Sequence, residues 1–220
     1  MEKRKLGRTN FDASIIGLGG EGLLRGQGKE KETYVLINKA LDLGINFCES
    51  ASSYDRSEEY YGKALRERRK DIFLTSKSRS RTKEGALADL QETLKNMKTD
   101  HLDLWQIHDV SDEEAMEAIF APGGAMEAFV EAKQKGYVRF IGIGGRNAGA
   151  LRPHARKADA IAAVHRQDDA GDECRLVARQ IERGIGDVLR RAPAAHRDAC
   201  QRGKALRRRI VIGRCGDQPG

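Results

Sequence analysis

Glu49, Tyr54, Lys77 and His108 follow one another through the first half of the chain. Each stands at or just beyond the end of an apolar run: Ile45–Cys48 precedes Glu49 and Tyr54, Ile72–Thr75 precedes Lys77, and Leu102–Ile107 precedes His108. A phenol, an amine, an imidazole and a carboxylate brought together form a proton-donating site suited to carbonyl chemistry, which makes a reductase the leading reading. Each residue also has an ordinary role. Tyr54 suits a loop aromatic, Lys77 a solvated strand end, His108 a polar residue leaving a sheet, and Glu49 a partner for any nearby base. The case for a site therefore rests on whether the intervening elements bring all four to one place.

The apolar runs at Ser14–Leu18, Ile45–Cys48, Ile72–Thr75, Leu102–Ile107 and Val138–Ile143 predict five strands. Helical periodicity fills the gaps between them. Residues 30–43 set Tyr34, Ile37 and Leu41 on one face, with Gly44 as a stop. Ser57 is a candidate cap for the next helix, with Glu58 and Glu59 in its first turn, where carboxylates suit the helix dipole. Residues 84–98 align Leu87, Leu90, Leu94 and Met97, and a further helix over 123–135 follows Pro122-Gly123-Gly124.

Strands alternating with helices imply parallel strands with helices outside, as an open doubly wound sheet or a barrel. Side-chain alternation puts Leu104, Gln106 and His108 on one face of a strand, and Phe73, Thr75 and Lys77 on one face of another. Functional side chains ending polar strand faces fit a barrel interior whose site lies at the C-terminal mouth. Gly17-Leu18-Gly19-Gly20 lacks the third glycine of a dinucleotide fingerprint. The expected fold is α/β, a partial TIM (β/α)8-type barrel with about five recognisable N-terminal strands.

These segments resemble the aldo-keto reductase family. Arg4-Lys5-Leu6-Gly7-Arg8-Thr9 and Ile15-Ile16-Gly17-Leu18-Gly19-Gly20 resemble its N-terminal hairpin and first barrel strand. Gly44-Ile45-Asn46-Phe47-Cys48-Glu49-Ser50-Ala51-Ser52-Ser53-Tyr54 resembles its G-I-N-x-x-D-T-A-x-x-Y segment, continued by Ser57-Glu58-Glu59 and Gly62-Lys63-Ala64-Leu65. Phe73–Lys77, Asp103–His108 and Lys135–Ile143 resemble its lysine strand, its histidine strand and its fifth strand. The resemblance covers about residues 3–145.

It implies NAD(P)H-dependent reduction of an aldehyde or ketone. Tyr54 would give the proton, Lys77 would stabilise the phenolate, Glu49 would pair with Lys77, and His108 would orient the carbonyl oxygen. The resemblance also puts Gly19 and Gly20 near the nicotinamide of NADPH or NADH, against the plainer role of a tight turn. Two departures stand out: the acid is Glu49 where the family has Asp, and residues 146–220 carry no recognisable nicotinamide-stacking or phosphate-binding segment.

The 220-residue chain joins two compositions near residue 145. Residues 1–145 carry a net charge of −1 and all twelve aromatic residues; residues 146–220 carry +8, with 15 Arg and 14 Ala. This division predicts a partial barrel over 1–145 and a basic segment over 146–220. A shifted reading frame or truncation, a basic segment for acidic partners, and a divergent barrel completion with a strand at Arg207–Ile212 are the three readings of the tail.

Without aromatic residues for base stacking, nucleic-acid binding is the weaker expectation. Cys48, Cys174, Cys200 and Cys215 form no C-x-x-C pair, so free thiols and a cytoplasmic location are expected, with no metal site. No apolar run is long enough to span a membrane. The implied partner is a small carbonyl substrate. A non-catalytic barrel remnant or interaction module is the alternative function. Unpaired edges near Ser14–Leu18 and Val138–Ile143 would favour self-association.

Overall fold

The computed structural model describes residues 1–145 and the backbone of residues 161–166. The chain divides into two units, Met1–Gln167 and Asp168–Gly220, and every described residue falls in the first. Arg207–Ile212, Cys174, Cys200 and Cys215 lie outside the described residues.

An antiparallel hairpin opens the chain, with β1 (Lys3–Lys5) against β2 (Asp12–Ser14). Six parallel strands follow: β3 (Leu18–Gly19), β4 (Phe47–Glu49), β5 (Phe73–Ser78), β6 (Leu102–Ile107), β7 (Val138–Gly145) and β8 (Ile161–Arg166). They pair strictly in chain order. A doubly wound sheet reverses its strand order at a switch point, and this sheet does not, so it is the wall of a partial (β/α)8 barrel. The helices between strands are α1 (Glu30–Asp42), α2 (Ser57–Leu65), α3 (Lys83–Met97), α4 (Glu113–Phe120) and α5 (Ala125–Gln134). Among the described residues no helix is long and apolar enough to cross a membrane.

Several local expectations differ from the structure. The single strand expected at Ser14–Leu18 is split between β2 and β3. Asn46 accounts for the break, because its side chain accepts from Ser14 N at 2.7 Å and donates to Asp12 O at 2.9 Å, holding Ser14 in the hairpin. The edge expected at Val138–Ile143 is covered, since β7 pairs with β6 on one side and β8 on the other. Ser57 is not a cap: it is the first residue of α2, fully buried, and its hydroxyl accepts from Ser50 Oγ at 2.8 Å.

The two faces of each strand meet different surroundings. On the inner face, Phe73 contacts Phe47, Phe140 and Phe11, with ring centroids 5.7, 6.3 and 5.0 Å apart. Phe11 comes from the hairpin, which therefore sits under the N-terminal end of the wall. Farther along this face, Gln106 Nε2 donates to Thr75 Oγ1 at 3.1 Å. On the outer face, Trp105 stacks on Phe129 of α5 at 3.6 Å. Asp103, also on that face, accepts from Leu74 N and pairs with Arg69 and Arg139, tying β5, β6 and β7 together.

Tyr34, expected on the buried stripe of α1, is 46% exposed, while Thr33, Ile37, Ala40 and Leu41 are buried. Glu58, expected to favour the dipole at the start of α2, is instead buried between helix and sheet. Its Oε1 accepts from Ser76 Oγ at 2.7 Å and from Thr93 Oγ1 at 2.8 Å. Burial pushes its carboxyl pKa up, and the hydroxyl donors oppose that shift.

Helices α2 and α3 cross at Gly62. A methyl group there would stand 2.1 Å from Asn96 O and 2.9 Å from the Met97 carbonyl carbon, both backbone atoms. Alanine would improve helix propensity by only about 1 kcal/mol, whereas overpacking costs about 1–3 kcal/mol. Gly62→Ala should therefore lower the urea midpoint. A variant as stable as the parent would show that the helices part without cost.

Candidate active site

Parallel strands carry equivalent ends to one side, and the C-terminal ends of β4, β5 and β6 bring the four residues together. Glu49 ends β4, Lys77 lies one residue from the end of β5, and His108 follows β6 directly. Tyr54 arrives on the loop between β4 and α2. That loop is stitched to β5 by Ser50 N donating to Thr75 O and Ser52 N donating to Lys77 O, each at 2.9 Å. Tyr54 N then donates to Ala51 O and Ser57 N to Tyr54 O, again at 2.9 Å, and α2 begins.

Lys77 is the centre of the cluster. Its Nζ forms an ion pair with the Glu49 carboxylate, donates to Ser50 O at 2.9 Å and lies 3.5 Å from Tyr54 Oη. The ammonium also sits 4.6 Å from the Tyr54 ring centroid. Only 4% of the Lys77 side chain is exposed. Burial pushes its pKa down to about 7, partly opposed by the negative charge of Glu21. The Glu49 contact also favours the charged amine, by Coulomb attraction.

Tyr54 and His108 meet edge to face, with ring centroids 5.7 Å apart. Burial is the main cause that raises the Tyr54 pKa, with Glu21 adding to it and Arg79 and Arg25 opposing it. His108 is pushed down to about 4, first by burial and then by the cations Lys77 and Arg79. At neutral pH the imidazole is thus uncharged and the phenol keeps its proton. Among the described residues, His108 Nδ1 and Ser53 Oγ are buried without a hydrogen-bond partner.

The two glycines differ. Gly20 is buried, and a Cβ there would stand 2.3 Å from Ser57 Oγ and 2.8 Å from Glu49 O. Its lack of a side chain lets the β3 loop pack against the end of β4. Gly19 is exposed, and a Cβ there would meet only Glu49 Oε2, at 3.5 Å.

Sequence reasoning missed two contributors. Ser50 acts through its backbone carbonyl, which no side-chain type announces. Arg81 Nη2 donates to the carbonyls of His108 and Asp109 at 3.0 and 2.9 Å, fixing the turn after β6, where Asp109 takes a φ of 56°. Its neighbour Arg79 pairs with Asp109 at 3.2 Å. An arginine beyond a strand carries no local signal for either contact.

The signature described as the Aldo/keto reductase family matches residues 15–168. The match extends past Gly145 and takes in β8, whose Ala162-Ala163 centre gives little strand signal on its own. The uncharacterized oxidoreductase YqkF of Bacillus subtilis (strain 168) is 34% identical over 176 residues, covering 73% of this chain and 54% of that protein. The aldo-keto reductase yakc [NADP(+)] of Schizosaccharomyces pombe is 30% identical, over 68% of this chain and 47% of its own length. The chain spans about half the length of the curated relatives it matches. Among solved structures, the aldo-keto reductase AKR11C1 from Bacillus halodurans (holo form) superposes with a TM-score of 0.63 at 28% identity, over 74% of this chain and 56% of that one. With a family match spanning every barrel strand described and four polar residues gathered at the mouth of those strands, the chain belongs to the aldo-keto reductase family.

Proposed function

We propose that this site reduces the carbonyl of a small aldehyde or ketone, with Tyr54 as proton donor. The observation that carries the reading is the buried Lys77 ammonium lying 3.5 Å from Tyr54 Oη while held by Glu49 and the Ser50 carbonyl. A reduced nicotinamide supplies the hydride when bound. The described residues fit such a group at the mouth: Gly19 is exposed beside Glu49 and has no side chain of its own, and among the described residues His108 Nδ1 and Ser53 Oγ are buried polar atoms without a partner. Gly19 would line the cofactor side, whereas the contribution of Gly20 is to packing. NADPH is favoured over NADH because the S. pombe relative's name carries NADP(+).

The protein's own steps follow from charge. As negative charge develops on the carbonyl oxygen, the Tyr54 O–H passes its proton to it, leaving a phenolate beside the Lys77 ammonium. Glu49 keeps that ammonium in place. His108, uncharged at neutral pH, donates a hydrogen bond that orients the carbonyl oxygen, and it does not compete as an acid. Burial of Tyr54, Lys77 and His108 keeps these interactions in a low dielectric, where they are stronger than in water.

Tyr54→Phe should lower NADPH-dependent reduction of a generic aldehyde by roughly 10²- to 10⁴-fold while the protein still folds. Glu49→Asp should keep or improve activity, since it restores the shorter acid usual in the family. Steady-state absorbance at 340 nm, a wavelength set by the reduced nicotinamide, reads both, and an active Tyr54→Phe enzyme would rule out the assigned proton donor.

His108 supplies a pH test that needs no substrate. Its folded pKa, about 4, lies below the ordinary 6.5, so the unfolded chain takes up the proton first as pH falls. Its contribution to stability is therefore complete above pH 6.5 and is lost progressively as pH falls from 6.5 through about 4. Urea unfolding of His108→Asn should show a shallower decline across that window than the parent. Parallel curves would mean that His108 titrates normally in the folded state.

A further inference from the structure

Glu58 stands outside the four-residue cluster, yet it is bonded to the strand that carries Lys77. Its carboxylate is 4% exposed, beneath the outer face of β5. Two hydroxyl donors converge on one oxygen, Ser76 Oγ from β5 at 2.7 Å and Thr93 Oγ1 from α3 at 2.8 Å, and the Asn96 side chain also bonds the carboxylate. Ser76 immediately precedes Lys77, and alternation turns their side chains to opposite faces. The Ser76 hydroxyl thus holds the strand from behind at the point where Lys77 projects into the site. Glu58 itself lies one residue into α2, four residues after Tyr54. Ser57, between them, is fixed by its hydrogen bond with Ser50, the residue whose carbonyl receives Lys77 Nζ.

We propose that Glu58 is a positioning residue, a buried carboxylate that locks α2 to β5 so that Lys77 Nζ and Tyr54 Oη meet in register. The geometry favours this over mere helix anchorage. A carboxyl in the core is costly unless fully bonded, and an apolar residue would join α2 to α3 without that cost. What the apolar residue could not supply is a directional bond to the backbone segment bearing Lys77. A displacement of even one ångström matters where an ammonium must stabilise a phenolate across one hydrogen bond. The claim about catalysis rests on the reductase reading; the claim about geometry does not.

The test uses the full chain and four substitutions: Glu58→Ala, Glu58→Gln, Ser76→Ala and Thr93→Val. The first readout is the titration of Lys77 by NMR of 13C-ε-labelled lysine, assigned with Lys77→Arg. Glu58→Ala and Ser76→Ala should move the Lys77 midpoint by about one pH unit or more toward the ordinary lysine value, because a displaced ammonium regains water. Glu58→Gln keeps an oxygen able to accept both hydroxyls and should restore the parent midpoint. Thr93→Val should lower the thermal midpoint and leave Lys77 unchanged.

The second readout is steady-state kinetics with NADPH and a neutral aldehyde. Here Ser76→Ala should lower kcat with little change in KM, and Glu58→Gln should match the parent. An unchanged Lys77 titration in folded Glu58→Ala, or an equal shift in Thr93→Val, would reduce Glu58 to a structural bond and overturn the proposal. Should Glu58→Ala fail to fold, Ser76→Ala decides alone. Shifted Lys77 titrations in a parent chain that reduces no carbonyl would uphold the positioning role and remove the reductase reading instead.

Discussion

A buried ammonium is the interaction on which the site depends. Lys77 is withdrawn from water at the end of β5, and a charge in that position is costly unless its surroundings supply opposite charge and acceptors. They do so from separate segments: the Glu49 carboxylate from β4, the Ser50 carbonyl from the loop beyond it, and the Tyr54 hydroxyl from farther along that loop. Removing any one would leave the amine under-satisfied. In the proposed reaction the same burial would make Lys77 useful, since an ammonium in a low dielectric stabilises a neighbouring phenolate more than a hydrated one could.

The partial barrel meets this demand through a simple property of parallel sheets. Strands β4, β5 and β6 run side by side in the same direction, so their C-terminal ends share one rim. Alternation then sends Thr75, Lys77 and Gln106 inward and Ser76 and Trp105 outward. The inward set builds the site and its polar floor, where Gln106 bonds Thr75. The outward set anchors helices, Trp105 by stacking on Phe129 and Ser76 by bonding Glu58. Each strand thus has a chemical face and a load-transmitting face, and a disturbance behind the sheet can reach the site through the backbone alone.

Glycine contributes to this architecture through the space it leaves. Gly20 lets the β3 loop pack on Ser57 and the end of β4, and Gly62 lets α2 cross α3 against the backbone at Asn96 and Met97. At Gly145 a Cβ would stand 1.8 Å from Val110 O, so the end of β7 packs directly on the segment after β6. These close approaches set the distances between elements, and those distances in turn set the geometry of the mouth.

Residue type and spacing were enough to identify the four polar residues and the strands that carry them. Leu102–Ile107 was legible because it is a largely apolar run of strand length. The bounds of α1 and α3 were likewise close, because a 3.6-residue period and a stop at Gly44 are local signals. The sequence could not divide Ser14–Leu18 between hairpin and wall, because Asn46, more than thirty residues away, makes that decision. Nor could it reveal that Glu58 faces inward, since a carboxylate in a first turn satisfies the helix dipole whether or not it is buried. The strand at Ile161–Arg166 was hidden because its Ala162-Ala163 centre carries little strand signal, and it takes its identity from pairing with β7. Local chemistry named the candidate groups; tertiary packing decided which of them lie within hydrogen-bond reach, because the buried Lys77 takes its partners from the neighbouring strand and the loop after it.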